Sequence, residues 1–197
     1  MNEIVVASPM LEEYLRKYYP EYSFISSTTK CLNSEELKQE LNKQYKYICL
    51  NYNLNKNVKL LNEIPSEDRH KIEFLINAIC PPGCPTRKKH YQLNSSFSET
   101  FGKIYSLGEC GIIKSNSFPL NYKNNFNFSE LIEYEKQGFQ NFKLEGRTFR
   151  KETLILELVK YLIKPEYQFY IIEFLLRIIE TFDIYNYSLE KFNNISI

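Results

Sequence analysis

Residues 3–26 read EIVVASPMLEEYLRKYYPEYSFIS, and this stretch decides the fold class. Glu3 to Ala7 is short, apolar and β-branched, the pattern of a buried strand. Pro9 follows, and a helix is predicted from Met10 to Tyr19, with Leu11, Tyr14, Leu15 and Tyr18 on one face. Pro20 stops that helix, because a proline disfavours helical backbone in the residue before it. Tyr22 to Ser26 then reads as a second strand. Strand, helix and strand in succession imply parallel pairing, since a parallel crossover needs a helix or its equivalent.

The same punctuation continues outward. Ser34 is the expected N-cap of a helix in which Leu37 and Leu41 meet across a turn, with half of a capping box. Strands are predicted at Lys46 to Leu50, Lys71 to Ile76, Gly111 to Ile113 and Asn141 to Leu144. A helix over Ser129 to Tyr134 is closed by Gly138, and two tail helices, Lys151 to Ile163 and Glu166 to Thr181, are split by Pro165. The class is α/β. Two shapes compete: an open doubly wound sheet and a (β/α) barrel. After the first strand the chain reads Ala7-Ser8-Pro9-Met10, not a glycine-rich phosphate loop, and only 6 glycines are present, which argues against a dinucleotide-binding sheet. A complete barrel takes about 250 residues. The expectation is therefore a partial TIM-type (β/α) barrel with two C-terminal helices, a single domain with the incomplete barrel over residues 1–150 and a helical cap over 151–197. Its open edge calls for cover by the tail helices, a complementary chain or a second copy.

Composition narrows the function classes. The chain has 197 residues, 25 Lys and Arg against 24 Asp and Glu, and a formal charge of +1. That balance creates no long-range field for nucleic acid or anionic lipid. With 43% hydrophobic and 15% aromatic residues, disorder of the whole chain is excluded. No segment approaches the ~20 uncharged apolar residues of a membrane span; the best, 169–179, is broken by Glu173 and Arg177. Met1 to Val6 has neither a basic lead nor a long apolar core, so a cytoplasmic location without a signal peptide is expected. The 5 cysteines are then free thiols or metal ligands rather than a disulfide framework.

Loops after parallel strands share one rim, where ligands bind. Ser8 and Pro9 follow the first strand; Ser27, Thr28, Thr29, Lys30 and Cys31 the second; Asn51, Asn53 and Asn55 the third. The fourth is followed by Asn77 and then by Cys80-Pro81-Pro82-Gly83-Cys84-Pro85-Thr86-Arg87-Lys88-Lys89-His90-Tyr91. Gly83 lets this stiff loop turn so that both sulfurs face one centre. Arg87 and Lys88 would favour the thiolate form or hold an anion. With Cys110 and Cys31 on the same rim, Cys80 and Cys84 would complete a tetrathiolate site suited to a four-iron cluster; His90 in place of Cys31 would give a zinc composition. Cys49 lies within a strand and is expected to be a small buried hydrophobe.

The last strand ends Lys143-Leu144-Glu145-Gly146-Arg147. Glu145 is a candidate acid, base or amine-binding group and Arg147 a two-point grip for a carboxylate or phosphate. The plainer alternative is a Glu145–Arg147 or Lys143–Glu145 ion pair. His70 is expected on the opposite rim in solvent. Tyr161, Tyr167 and Tyr170 are expected in helix packing, and the Asn-rich stretches 51–57 and 121–127 as loops.

In order, Val5-Val6-Ala7-Ser8-Pro9, Ser26-Ser27-Thr28, the Asn-containing segment before Leu60, Asn77 with Cys80…Cys84-Pro85…Arg87…His90-Tyr91, and Phe142-Lys143-Leu144-Glu145-Gly146-Arg147 resemble the collagenase-like peptidase family (peptidase family U-thirty-two) over about residues 3–165. The resemblance implies a TIM-type barrel whose first strands are missing here. It also implies relatives that are peptidases, RNA-modifying hydroxylation factors and ubiquinone-hydroxylation proteins with a four-iron cluster on four cysteines. Cys80 and Cys84 carry over as cluster ligands, followed by Cys110 and Cys31. A hydrolytic mechanism finds no Ser/His/Asp set and no HExxH motif, and only 2 His are present.

Three functions follow as expectations. The first is an iron–sulfur barrel supporting hydroxylation or another modification, with Glu145 and Arg147 facing the substrate and Asn53, Asn77, Arg87 and His90 binding it. The second is a peptidase or peptide-binding barrel without a cluster. The third is a non-catalytic partial-barrel subunit.

Overall fold

The computed structural model describes residues 2–78, 80–99, 123–145 and 151–193. Cys110, Arg147 and the strand expected at Gly111 to Ile113 lie outside them. The chain divides into two compact units, residues 1–126 with 131–145, and residues 127–130 with 146–197.

The first unit holds a five-stranded, all-parallel sheet in the order β1-β2-β3-β4-β5. The strands are β1 (Glu3–Val6), β2 (Ser23–Ser26), β3 (Tyr47–Cys49), β4 (Ile72–Leu75) and β5 (Asn141–Lys143). Chain order and spatial order coincide. A doubly wound sheet reverses direction at a switch point; this one does not. Between the strands run α1 (Pro9–Tyr18), α2 (Ser34–Leu41), α3 (Val58–Glu63), α4 (Arg87–Glu99) and α5 (Phe128–Lys136). Sequence periodicity missed α3 and α4. The Pro/Gly-rich 81–85 run had hidden the second of these, which starts two residues after the last proline of that run.

Register separates the two faces of the sheet. Ser26 pairs with Ile48, Ile48 with Ile72, and Phe74 with Phe142, which puts them on one face with Val6 and Phe24. There Ile48, Ile72 and Phe74 are fully buried. Phe74 is the hub, with ring centroids of Phe126, Tyr134 and Phe139 at 5.6, 5.4 and 5.2 Å, all edge-on. The opposite face is mixed. Cys49 pairs with Glu73, and Lys143 reaches across the strands to Glu73 at 2.9 Å. Lys143 thus pairs with a carboxylate on the neighbouring strand.

Two helix readings are corrected. The cap of α2 is Asn33, one residue before Ser34, and its capping box is complete: Asn33 Oδ1 accepts from the Glu35 and Glu36 amides at 2.9 Å, and Glu36 answers to the Asn33 amide at 2.8 Å. In α1 the predicted apolar face is the outer one: Leu11, Tyr14 and Tyr18 are 50–55% exposed, while Glu12 is buried. Glu12 turns inward because partners await it. Its carboxylate accepts from Arg16 at 2.9 Å, Lys30 at 3.3 Å and the Tyr45 hydroxyl.

In the second unit, α6 (Lys151–Leu162) and α7 (Pro165–Asn193) pack together. Pro165 separates them as expected, but as the first residue of α7, where its missing N–H costs nothing. Gln168 Nε2 closes the joint by donating to the carbonyls of Lys160 and Ile163 at 3.2 and 2.9 Å. Among the described residues no helix is long and apolar enough to cross a membrane.

Candidate site at the C-terminal rim

Each strand of the first unit hands over to a polar turn. After β1, Ser8 accepts from the Leu11 amide at 3.4 Å and caps α1, with Pro9 as its first residue. After β2 comes a 3-10 turn, Thr28–Lys30, closed by Cys31 in the left-handed region at φ 52°. A side chain there carries strain on the order of 1 kcal/mol, which the turn imposes on a thiol rather than a glycine.

After β3, Asn51 caps a short turn over Tyr52–Leu54, and Tyr52 is fully buried. The Tyr52 hydroxyl donates to the Cys80 carbonyl, and Asn53 Oδ1 accepts from the Gly83 amide at 3.0 Å. The loops after β3 and β4 are thereby tied together. Gly83 has φ +70°, the turn its residue type promised. Cys84 Sγ lies 3.3 Å from Thr86 Oγ1, and α4 begins at the next residue.

Arg87, the first residue of α4, is 4% exposed. Its guanidinium lies over the Tyr52 ring at 4.0 Å from the centroid, and Nε and Nη2 donate to the Tyr91 hydroxyl at 3.1 and 2.8 Å. The Arg87 charge acts on the thiol of Cys31 from the end of β2, and the thiol of Cys80 acts on Arg87 in turn. Cys31 and Cys80, from separate segments, are thus both coupled electrostatically to Arg87. Burial nevertheless pushes the Cys31 thiol up, and Arg87 and Lys88 offset this only in part. At Cys31, desolvation wins over the two cations. Burial also pushes Cys49 up, to about 12, in keeping with a thiol that serves as core.

After β5, Asn77 clamps the strand end. Its Nδ2 donates to the Glu145 carbonyl at 2.8 Å and its Oδ1 accepts from the Glu145 amide at 2.7 Å. Asn77 and Asn53, read as substrate-binding groups, both have a side-chain amide engaged with backbone in this structure. Glu145 is half-buried, and its charge acts on the Tyr91 hydroxyl. His90 lies in the first turn of α4, its amide bonded to the Thr86 carbonyl at 2.8 Å. His70 is exposed, as expected.

The rim therefore gathers Cys31, Cys80, Arg87, Tyr91 and, through Tyr91, Glu145. Tyr52 and Tyr91, which flank the guanidinium, were not singled out as site residues. The spacing of Arg87 and Tyr91, one helical turn apart, was the available signal, hidden because α4 was read as loop. The donor chemistry of Cys31, Cys80 and Cys84 suits a thiophilic centre. Among the described residues, however, no three His, Cys, Asp or Glu side chains converge to hold a metal ion. A cluster cradle would need Cys110.

Two clefts lie around Arg16, one lined also by Pro20, Tyr22, Gln44 and Lys46, the other by Pro9, Glu12, Glu13 and Lys43. Their cations already face partners: Arg16 pairs with Glu12, Lys43 with Glu40 and Lys46 with Glu3. They contain none of the predicted site residues. Comparison with protein-family models, curated proteins and solved structures yields no match.

Proposed function

We propose that this chain is a partial (β/α) barrel of the collagenase-like peptidase type that binds an iron–sulfur cluster at its C-terminal rim and supports hydroxylation or another modification of an organic or macromolecular substrate. The observation that carries the reading is the tie between the loops after β3 and β4, Tyr52 to the Cys80 carbonyl and Asn53 to the Gly83 amide, which holds the loop of Cys80 and Cys84 beside Arg87. The sequential strand order supports the barrel winding. Cys31, Cys80, Cys84 and Cys110 are the ligands in this reading. A bound cluster would supply electron transfer.

The chain's own groups position the rest. Asn77 fixes the backbone of Glu145, so the carboxylate is presented from a rigid strand end. Tyr91 stands between Glu145 and Arg87 and keeps a hydroxyl proton to donate. Tyr52 holds the guanidinium in place. In this reading a complementary chain or a second copy covers the sheet edge at β1 and the exposed face of α1.

Anaerobic reconstitution with iron and sulfide tests the reading. A brown protein with about four irons per chain is expected, reduced to near none by Cys80→Ala with Cys84→Ala. A colourless, iron-free product overturns it. That result favours the second reading, a peptide-binding barrel without a cluster, which accords with the absence of three converging ligands among the described residues. Zinc alone, found by elemental analysis, would assign the thiols a structural role.

A further inference from the structure

We propose that Arg87 is the receptor for the oxyanion, a carboxylate or a phosphate, of a small ligand bound at the rim. The inference does not depend on whether the thiols hold a cluster. Arg87 is buried, with two edges of its guanidinium in different states. The Nε–Nη2 edge is occupied by the Tyr91 hydroxyl at 3.1 and 2.8 Å. Nη1 is buried and has no hydrogen-bond partner. Together Nη1 and the second N–H of Nη2 form a fork, the geometry that grips a carboxylate or phosphate at two points.

Burying a guanidinium is strongly unfavourable unless an anion or a full set of acceptors meets it. Elsewhere in this unit the chain obeys that rule: buried Glu12 is matched by Arg16 and Lys30, and buried Glu40 by Lys30 and Lys43. Among the described residues no Asp or Glu forms an ion pair with Arg87. Glu145, the carboxylate on the adjoining strand end, acts on Tyr91 instead. Tyr52 and Tyr91 hold the cation rigidly, so the fork is preorganised and little side-chain entropy remains to be lost on binding. Among the described residues no carboxylate fills the role of counter-charge, which is assigned to the bound ligand.

Isothermal titration of the full chain, freed of metal by a chelator, with sodium phosphate and separately with sodium acetate tests this. Saturable binding of at least one anion is expected; which one binds tells phosphate from carboxylate. Arg87→Gln should weaken it roughly ten- to a hundredfold. Lys89→Gln, which removes an exposed charge of the same helix, should leave it within about threefold. Tyr91→Phe keeps the charge but releases the occupied edge, and should give an intermediate loss; it serves if Arg87→Gln does not fold. Failure of both anions to bind, or equal binding by Arg87→Gln and, where that chain does not fold, by Tyr91→Phe, overturns the proposal. A chain that binds phosphate through Arg87 but takes up no iron on anaerobic reconstitution would sink the cluster reading alone. A reconstituted cluster in a chain indifferent to both anions would sink this one alone.

Discussion

Glu40 shows how a single charge holds this unit together. Burial by itself would raise its pKa, but donation from Lys43 at 2.6 Å, Ser26 at 2.6 Å and Lys30 at 2.9 Å outweighs burial and holds it down at about 2. The folded carboxyl thus titrates below the unfolded one. Its stabilisation is fully present above pH 4.5 and is lost as pH falls through about 2. Glu40→Gln should lower stability by about 3 kcal/mol at pH 7, because it strands buried donors. It should also flatten the acid limb, so that the urea midpoints of variant and parent converge toward pH 2. Parallel acid limbs would show that Glu40 is not the titrating group. Nothing in the spacing of Glu12, Lys30, Glu40 and Tyr45 announced this network, because its members come from separate elements. Cys80, Cys84 and Arg87 stood out because they crowd one stretch of chain; the Arg87 partners Tyr52 and Tyr91 were not singled out.

At the scale of elements, the end of β5 depends on a side chain of another strand's loop. Asn77 donates to and accepts from the Glu145 backbone, replacing a ladder rung beyond the last strand pair. Asn77→Ala should cost about 2 kcal/mol, the sum of two such bonds. Hydrogen exchange at the Glu145 amide should rise more than at the Phe74 amide in the middle of β4. Uniform loss of protection would instead indicate a global effect. The Asn-rich stretches 51–57 and 121–127 are expected as loops from the sequence. Asn33, Asn51, Asn57 and Asn127 in fact cap turns or helices, and buried Asn55 donates to the Leu75 carbonyl at 2.8 Å. Residue type pointed to caps, but the choice between Asn33 and its neighbour Ser34 was settled by which side chain reached the second and third amides.

At the scale of the first unit as a whole, β1 has no strand paired on its outer side among the described residues. β1 is terminal in the order, Val5 is 56% exposed, and Leu11 and Tyr14 on α1 are half-exposed beside it in sequence. An unpaired edge with apolar neighbours is a pairing surface. Light scattering of the purified chain should report a dimer or a co-purified partner. Tyr14→Lys with Val5→Lys should shift it to monomer, since losing one aromatic anchor typically removes about 2 kcal/mol of association energy. A monomer at every concentration would remove the proposed cover for this edge.

Local pattern alone determined the class and most of the elements. Short β-branched runs, the Ser8-Pro9 and Gly138 signals and the alternation of strand with helix are properties of neighbouring residues, and periodicity reads them directly. Tertiary structure alone decided which face of α1 turns inward, which carboxylate Lys143 meets, and that Arg87 stacks on Tyr52 from a different strand's loop. Those outcomes depend on desolvation and pairing between distant segments. A one-dimensional pattern does not carry the distances on which those energies depend.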